Sequence, residues 1–142
     1  MTQHPSILFA REPALDVGEF RRVLVESGLG ATRPIDDQPR LRAMLENANL
    51  IVTARLHDQP GYPLVGVARC ITDFAWNCYL SELAVSASAQ GMGVGKGLID
   101  ETRRQLGPTV SLILASVPDA VGFYEKIGMP HMPDAFWYRR ER

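Results

Sequence analysis

The glycine-rich segment from Gln90 to Leu98 carries the strongest chemical signal in the sequence. It follows a strand-like apolar run and opens a helix whose apolar face repeats at every fourth position. Free backbone N–H groups and the positive end of a helix dipole would converge at such a turn, which predicts an anion site suited to phosphate. A GxGxxG motif starting at Gly91 would need glycine at Lys96, and a Walker loop also fails on spacing. A nucleotide-binding module is therefore only a minor alternative.

The spacing Gln90-x-x-Gly93-x-Gly95, between a strand and a long helix, resembles the GNAT family of acetyl-CoA-dependent acyltransferases. A second family signature is matched by the segment 123–129, Phe-Tyr-Glu-Lys-Ile-Gly-Met. The resemblance runs from about Leu50 to the C-terminus, and two predicted N-terminal helices fit the family's variable substrate side. It implies an N-acetyltransferase that moves an acetyl group from acetyl-CoA to a primary amine of a small molecule or protein, directly within a ternary complex.

The resemblance also implies how acetyl-CoA binds. The pyrophosphate would lie over the glycine turn and bind its backbone, and the pantetheine arm would bond to strand backbone left unpaired where neighbouring strands splay apart. Many members carry asparagine seven residues before the tyrosine of the second signature. That position is Val117 here, and Ser116 is expected to take over part of the role. The implied cofactor-binding residues are Leu83, Ala84, Val85, Gln90, Gly91, Met92, Gly93, Val94, Gly95, Lys96, Ser116 and Tyr124.

Acetyl transfer needs an acid for the departing thiolate, a donor for the oxyanion and a base for the amine. The resemblance makes Tyr124 the acid, because a phenol is protonated at neutral pH, although its hydroxyl would otherwise only cap the pocket. The oxyanion donor would be strand backbone. Glu82 leads the candidates for the base and precedes Leu83, but strand alternation turns the two to opposite faces unless a bulge intervenes. Asp73 and Tyr79 follow, with solvated surface carboxylates as the alternative.

The patterns along the chain predict the elements that position these groups. Asp16 and Glu19 resemble a capping box, Gly28 a helix C-cap and Gly66 a bulge. Hairpins mixed with crossovers, together with the resemblance, favour an α/β (α+β) fold of GNAT type: a mixed, mostly antiparallel central sheet, flanked by about four helices and splayed at the acetyl-CoA site. We expect strands at 50–55, 64–72, 76–85, 110–115 and 135–139, and helices at 15–27, from 38, at 94–106 and at 119–127; 6–10 is a short apolar run.

Composition narrows the class of protein. The chain has 142 residues, 46% of them hydrophobic, and a net charge of −1, which favours one domain over 1–142 and disfavours nucleic acid as a partner. No apolar run is long enough to cross a membrane and Met1–Pro5 does not begin a signal peptide, so we expect a cytoplasmic protein. Cys70, Cys78 and the scattered histidines lack metal-ligand spacing. A homodimer and a monomer both remain open, and a non-catalytic acyl-CoA sensor is the alternative function.

Overall fold

The computed structural model describes residues 6–142, so the expectation about Met1–Pro5 lies outside it. One five-stranded sheet has the order β1-β2-β3-β4-β5; its first three pairings are antiparallel and the β4–β5 pairing is parallel. This confirms the mixed, mostly antiparallel sheet. The strands are β1 (Ile7–Arg11), β2 (Leu50–Leu56), β3 (Leu64–Thr72), β4 (Asn77–Val85) and β5 (Ser111–Ile113); the helices are α1 (Val17–Ser27), α2 (Gln38–Glu46), α3 (Val94–Leu106) and α4 (Val121–Lys126), with 3₁₀ turns at Leu29–Thr32, Ala87–Ala89 and Pro118–Ala120.

The helices cover both faces of the sheet. Helix α3 packs on one face through its apolar stripe, and α1 and α2 pack on the other. The Asp16 side chain accepts a hydrogen bond from the Glu19 amide (3.0 Å) and Gly28 ends α1 with φ of 87°, as the sequence predicts. Successive side chains of a strand point to opposite faces of the sheet, so they divide between two apolar clusters. One cluster lies under α3 and the other under α1 and α2.

Two β-bulges, each one extra residue in a strand, reverse the face to which the following side chains point. In β3 the register steps at Val65, one residue before the predicted bulge at Gly66. In β4, Arg69 of β3 lies opposite Glu82 and Cys70 lies opposite Leu80, so Ser81 is an extra residue. Because of this second bulge, the side chains on either side of Ser81 follow different alternations along β4.

The cysteine pair lies in the β3–β4 hairpin. Cys70 and Cys78 are free, buried thiols within the cluster under α3. A hydrogen bond with Cys78, together with burial, raises the pKa of the Cys70 thiol above its usual range. Both residues therefore pack as small core side chains, and the thiol form of Cys70 is favoured.

The predicted final strand at 135–139 is wrong, because the structure has no strand or helix there. Its side chains face solvent: Phe136 is 98% and Tyr138 105% exposed. Aromatic residues favour strands only where a neighbouring surface half-buries them, and these side chains have no such cover. Both tryptophans, Trp76 and Trp137, are also exposed.

Candidate active site

The edge of β4 that faces β5 is open along most of its length. Pairing with β5 covers only Asn77–Tyr79, so the strand runs on to Val85 without a β5 partner in the register, as the predicted splay requires. The Ser86 amide donates to the Val65 carbonyl of β3 (2.8 Å). Since backbone groups alternate sides along a strand, those of Leu83 and Val85 face the open edge and those of Ala84 face β3. The predicted backbone contact of Ala84 to a cofactor is therefore not supported by this geometry.

The glycine turn lies at the end of this open edge. Gly91 and Gly93 have φ of 83° and 79°, a conformation that favours glycine, and a Cβ on either would meet nothing within 4 Å. Within the described chain, no side chain caps the first turn of α3. The Lys96 ammonium pairs with Asp100 one turn along the helix (2.7 Å). The backbone N–H groups at the start of α3 thus have no side-chain cap, which is the arrangement that an anion site needs. The anion site itself stays a prediction.

The remaining residues of the predicted turn and pocket lie around the same helix. Val94 is buried under the sheet, Met92 packs against the α3-side cluster, and a Cβ on Gly95 would approach the Phe123 ring to 2.9 Å. The Ser116 hydroxyl donates to the neighbouring Val117 carbonyl (2.7 Å), on the chain that leads from β5 to α4. That hydroxyl would have to rotate before it could donate to a cofactor, although its oxygen can still accept a hydrogen bond.

Tyr124 lies on α4, with its side chain on the face of the sheet that α3 covers. Its ring packs edge-on against Phe123 (5.0 Å between centroids), and it joins Leu83 and Val85 against the cluster under α3. Burial raises the pKa of the Tyr124 phenol above its ordinary value of 10.0. The phenol is therefore protonated at neutral pH and able to act as an acid.

Glu82 has a different environment from the one expected of a base. It is 2% exposed, ion-paired with Arg69, and bonded by the Arg33 Nε at 2.7 Å. Burial raises the pKa of the Glu82 carboxyl, but the hydrogen bonds and charges of Arg69 and Arg33 hold it below its usual range. Glu82 also faces α1 and α2, opposite to Leu83, so its carboxylate is neither accessible nor directed at the open edge.

Asp73 and Tyr79 are not brought to the open edge either. The Asp73 carboxylate accepts hydrogen bonds from the amides of Trp76 (2.7 Å), Ala75 (2.9 Å) and Asn77 (3.1 Å), which lower its pKa and cap the hairpin. It lies beside Asn77, about 25 Å from the glycine-turn end of β4 at roughly 3.3 Å per residue. The bulge puts Tyr79 on the opposite face from Leu83, so the expectation that they share a face is wrong.

Sequence reasoning missed Arg33 and Arg69, the two partners of Glu82. Arg69 stands inside the apolar run of β3, where a guanidinium requires a buried partner. That position was the available signal. Within residues 6–142, no group of three or more histidine, cysteine or acidic side chains is placed to hold a metal ion, and no helix is long and apolar enough to span a membrane.

Comparison with known proteins places this architecture in a family. Residues 32–134 match the family model described as an acetyltransferase (GNAT) domain. The chain is 32% identical to serotonin N-acetyltransferase 2, chloroplastic, of Oryza sativa subsp. japonica over 85% of its own length, and 30% identical to the uncharacterized N-acetyltransferase ycf52 of Pyropia yezoensis over 71%. It spans 60% and 62% of those two relatives.

Two solved structures share the fold. A GNAT family acetyltransferase from Streptococcus pneumoniae TIGR4 superposes with a TM-score of 0.65 at 21% identity, covering 96% of this chain and all of that one. The aminoglycoside N-acetyltransferase AAC(6')-Iy in complex with CoA superposes with a TM-score of 0.68 at 14% identity, covering 100% and 99%. The family match, the curated relatives and the splayed sheet agree, and the chain belongs to the GNAT family of acetyltransferases.

Proposed function

We propose that this protein is an N-acetyltransferase that uses acetyl-CoA as the acetyl donor and a primary amine as the acceptor. The observation that carries the proposal is the open edge of β4 beside the uncapped start of α3. The open edge of β4 fits an extended arm with amide groups, and the start of α3 fits a pyrophosphate. Acetyl-CoA has both parts and supplies the acetyl group. The aminoglycoside N-acetyltransferase in complex with CoA has the same fold, which supports the choice of donor.

The chain's own groups divide the work of binding. Backbone N–H groups of Gly93 to Lys96 hold the pyrophosphate, and the backbone of Leu83 and Val85 bonds to the pantetheine arm as a neighbouring strand would. An N–H group of the same edge stabilises the oxyanion that develops at the thioester carbonyl. The Tyr124 phenol, protonated and half-buried beside this edge, gives its proton to the thiolate as it leaves.

The acceptor amine loses its proton to water at the open edge. A protonated alkylamine has a pKa near 10, so only a small fraction is neutral at pH 7 and a proton acceptor is needed. The buried ion pairs of Glu82 and the three backbone amides that the Asp73 carboxylate accepts argue against both carboxylates in that role. We propose direct transfer in a ternary complex, since both cysteines, the usual nucleophiles of a covalent route, are buried in the core.

The acceptor is proposed as a small amine or an exposed amine of a protein. One relative is named a serotonin N-acetyltransferase and the structure with CoA an aminoglycoside N-acetyltransferase, which sets a first panel but assigns no acceptor here. The proposal includes one domain over 1–142 and a cytoplasmic location, to be tested by limited proteolysis and cell fractionation. A monomer and a homodimer both fit the proposal, and sedimentation distinguishes them.

Calorimetry with acetyl-CoA, CoA, ATP and NAD tests the donor first. We expect acetyl-CoA and CoA to bind and the two nucleotides to bind at least 100-fold more weakly. Acetyl-CoA turnover is then measured with serotonin, spermidine, an aminoglycoside and a peptide with a free N-terminus. Binding of CoA compounds without turnover on a broad amine panel would favour a non-catalytic sensor. Failure of the folded protein to bind CoA compounds would refute the proposal.

A further inference from the structure

A buried ion cluster lies behind the open edge, on the α1–α2 side of the sheet. Its members are Arg33, Arg69 and Glu82, with exposed side-chain fractions of 20%, 7% and 2%. Arg33 and Arg69 each donate through Nε to one oxygen of the Glu82 carboxylate. The mechanism above uses none of these three side chains. Apolar residues of similar volume often replace such clusters without loss of stability, so the directional bonds are what the charged groups add here.

Those bonds converge on the bulge of β4. Arg69 lies directly opposite Glu82 in the register, and Ser81 is the extra residue. The Arg33 Nη2 donates to the Ser81 carbonyl (2.8 Å), and the Ser81 hydroxyl donates to the Glu82 carboxylate (2.8 Å). The cluster therefore fixes both residues of the bulge, and the bulge decides which backbone groups farther along β4 face the open edge.

The same cluster ties two other parts of the chain, the α1–α2 connection and α2, to β4. Arg33 belongs to the connection between α1 and α2 and follows the 3₁₀ turn at Leu29–Thr32. The Arg69 Nη1 donates to the Met44 carbonyl of α2 (2.9 Å). Through these contacts, the position of residues 29–35 depends on the bulge.

We propose that Arg33 and Glu82 are positioning residues, which hold the α1–α2 connection in fixed register against the β4 bulge so that an acceptor amine meets the thioester at the open edge. This inference rests on the proposed function. It gives Glu82 the role of positioning other residues of the site in place of the role of a base. The charged groups that contact the Glu82 carboxylate are Arg33 and Arg69. Loss of Arg33 leaves the Arg69 pair in place, so Arg33 is the side chain to change.

The test compares Arg33→Ala and Arg33→Lys with wild type and with Arg104→Ala, which removes an exposed arginine paired with Glu101 on α3. Each variant is measured for acetyl-CoA affinity, amide hydrogen exchange, melting temperature and the pH profile of kcat/KM. The acceptor is whichever of serotonin, spermidine, an aminoglycoside and a free N-terminal peptide the wild type acetylates fastest. Amide hydrogen exchange is measured without substrate, so this part of the test does not depend on enzymatic activity.

For Arg33→Ala we expect amide exchange in 29–35 and 80–85 to rise at least fivefold and kcat/KM for the amine to fall at least tenfold. Acetyl-CoA affinity should stay within twofold, Arg33→Lys should recover part of both losses, and Arg104→Ala should match wild type. A lower melting temperature with wild-type exchange and kinetics would reduce the cluster to a structural role and overturn the proposal. A shift of the acid limb of kcat/KM to higher pH would also overturn it, since losing Arg33 raises the pKa of a Glu82 base.

The two proposals can fail separately. A wild-type protein that binds no acetyl-CoA refutes the proposed function, while hydrogen exchange still decides whether Arg33 holds the connection. A wild-type enzyme that is active, with Arg33→Ala equal to it in exchange and in kcat/KM, refutes only the positioning role.

Discussion

The Gln90 side-chain amide donates a hydrogen bond of 3.1 Å to the Val85 carbonyl, across the short turn between β4 and α3. Val85 is one of the two residues whose backbone faces the open edge. The chain thus satisfies with its own amide a carbonyl that the pantetheine arm is proposed to use. The two amides would compete for one acceptor.

Removing the Gln90 side-chain amide should strengthen the binding of acetyl-CoA. We expect Gln90→Ala to tighten acetyl-CoA binding about twofold to fivefold, because the variant gains at most one hydrogen bond worth about 1 kcal/mol. Calorimetry measures the affinity, with Gln105→Ala as the control, which removes a side-chain amide bonded to Glu101 near the end of α3 (2.8 Å). Weaker binding by Gln90→Ala would show instead that the amide contributes to the cofactor site.

Tyr124→Phe isolates the phenolic proton. The ring should keep its edge-on packing with Phe123, so acetyl-CoA affinity should change less than twofold while kcat falls about 100-fold. Because burial raises the pKa of Tyr124 above 10.0, the wild-type kcat should stay level up to pH 10 as far as this group is concerned, and decline only above it. Stopped-flow or steady-state thiol release at several pH values checks both statements. Unchanged turnover in the variant would remove Tyr124 from the mechanism.

Gly93→Ala and Gly61→Ala form a matched pair. Both glycines have positive φ (79° and 78°) and open space around a Cβ, but Gly61 lies in the β2–β3 turn, away from the glycine turn. Each substitution should cost about 1–2 kcal/mol of stability, because an L-residue is strained in this conformation. Only Gly93→Ala should also weaken acetyl-CoA binding, by about tenfold, since its Cβ enters the space assigned to the pyrophosphate. Equal acetyl-CoA binding by both variants would indicate that the glycine turn before α3 does not contact the cofactor.

The ion pairs of Arg55 should contribute to the free energy of unfolding and to its dependence on pH below pH 7. Its guanidinium bonds to Glu12 (2.6 Å) and Glu19 (2.8 Å), and the hydrogen bond from Arg55 lowers the pKa of the Glu12 carboxyl. The folded pKa of Glu12 lies below its unfolded value of 4.5, so its contribution is present above pH 4.5 and is lost as the pH falls through the folded pKa. Arg55→Gln should lose about 2 kcal/mol at pH 7 and show a flatter decline below pH 4.5. Denaturant unfolding between pH 3 and pH 7 measures this, and parallel curves for the two proteins would contradict it.

Local patterns predicted most of the elements. Asp16 before a helical repeat and Gly28 after it mark the ends of α1, and the glycine turn before α3 is visible as a spacing. These features depend on residues that are close in the chain, so the sequence displays them directly. The splay of β4 from β5 was expected from the family resemblance and is confirmed by the pairing.

The role of Glu82 needed the three-dimensional structure. No residue type marks the bulge at Ser81, because a bulge is a mismatch in length between two strands. The partner Arg33 is 49 residues away in sequence, so chain position gave Glu82 the appearance of a base without showing its ion pairs. The segment 135–139 failed for a related reason: its aromatic residues favour a strand only when a neighbouring surface covers them.

The exposure of both tryptophans determines how this protein can be observed. Trp76 is 73% and Trp137 67% exposed, and the chain has no other tryptophan. Their emission should already be red-shifted in the native state and open to quenching by iodide, so it should change little on denaturation. Far-ultraviolet circular dichroism is the better probe of unfolding, which leaves tryptophan emission free to report on contacts made at the β3–β4 hairpin or the C-terminal segment.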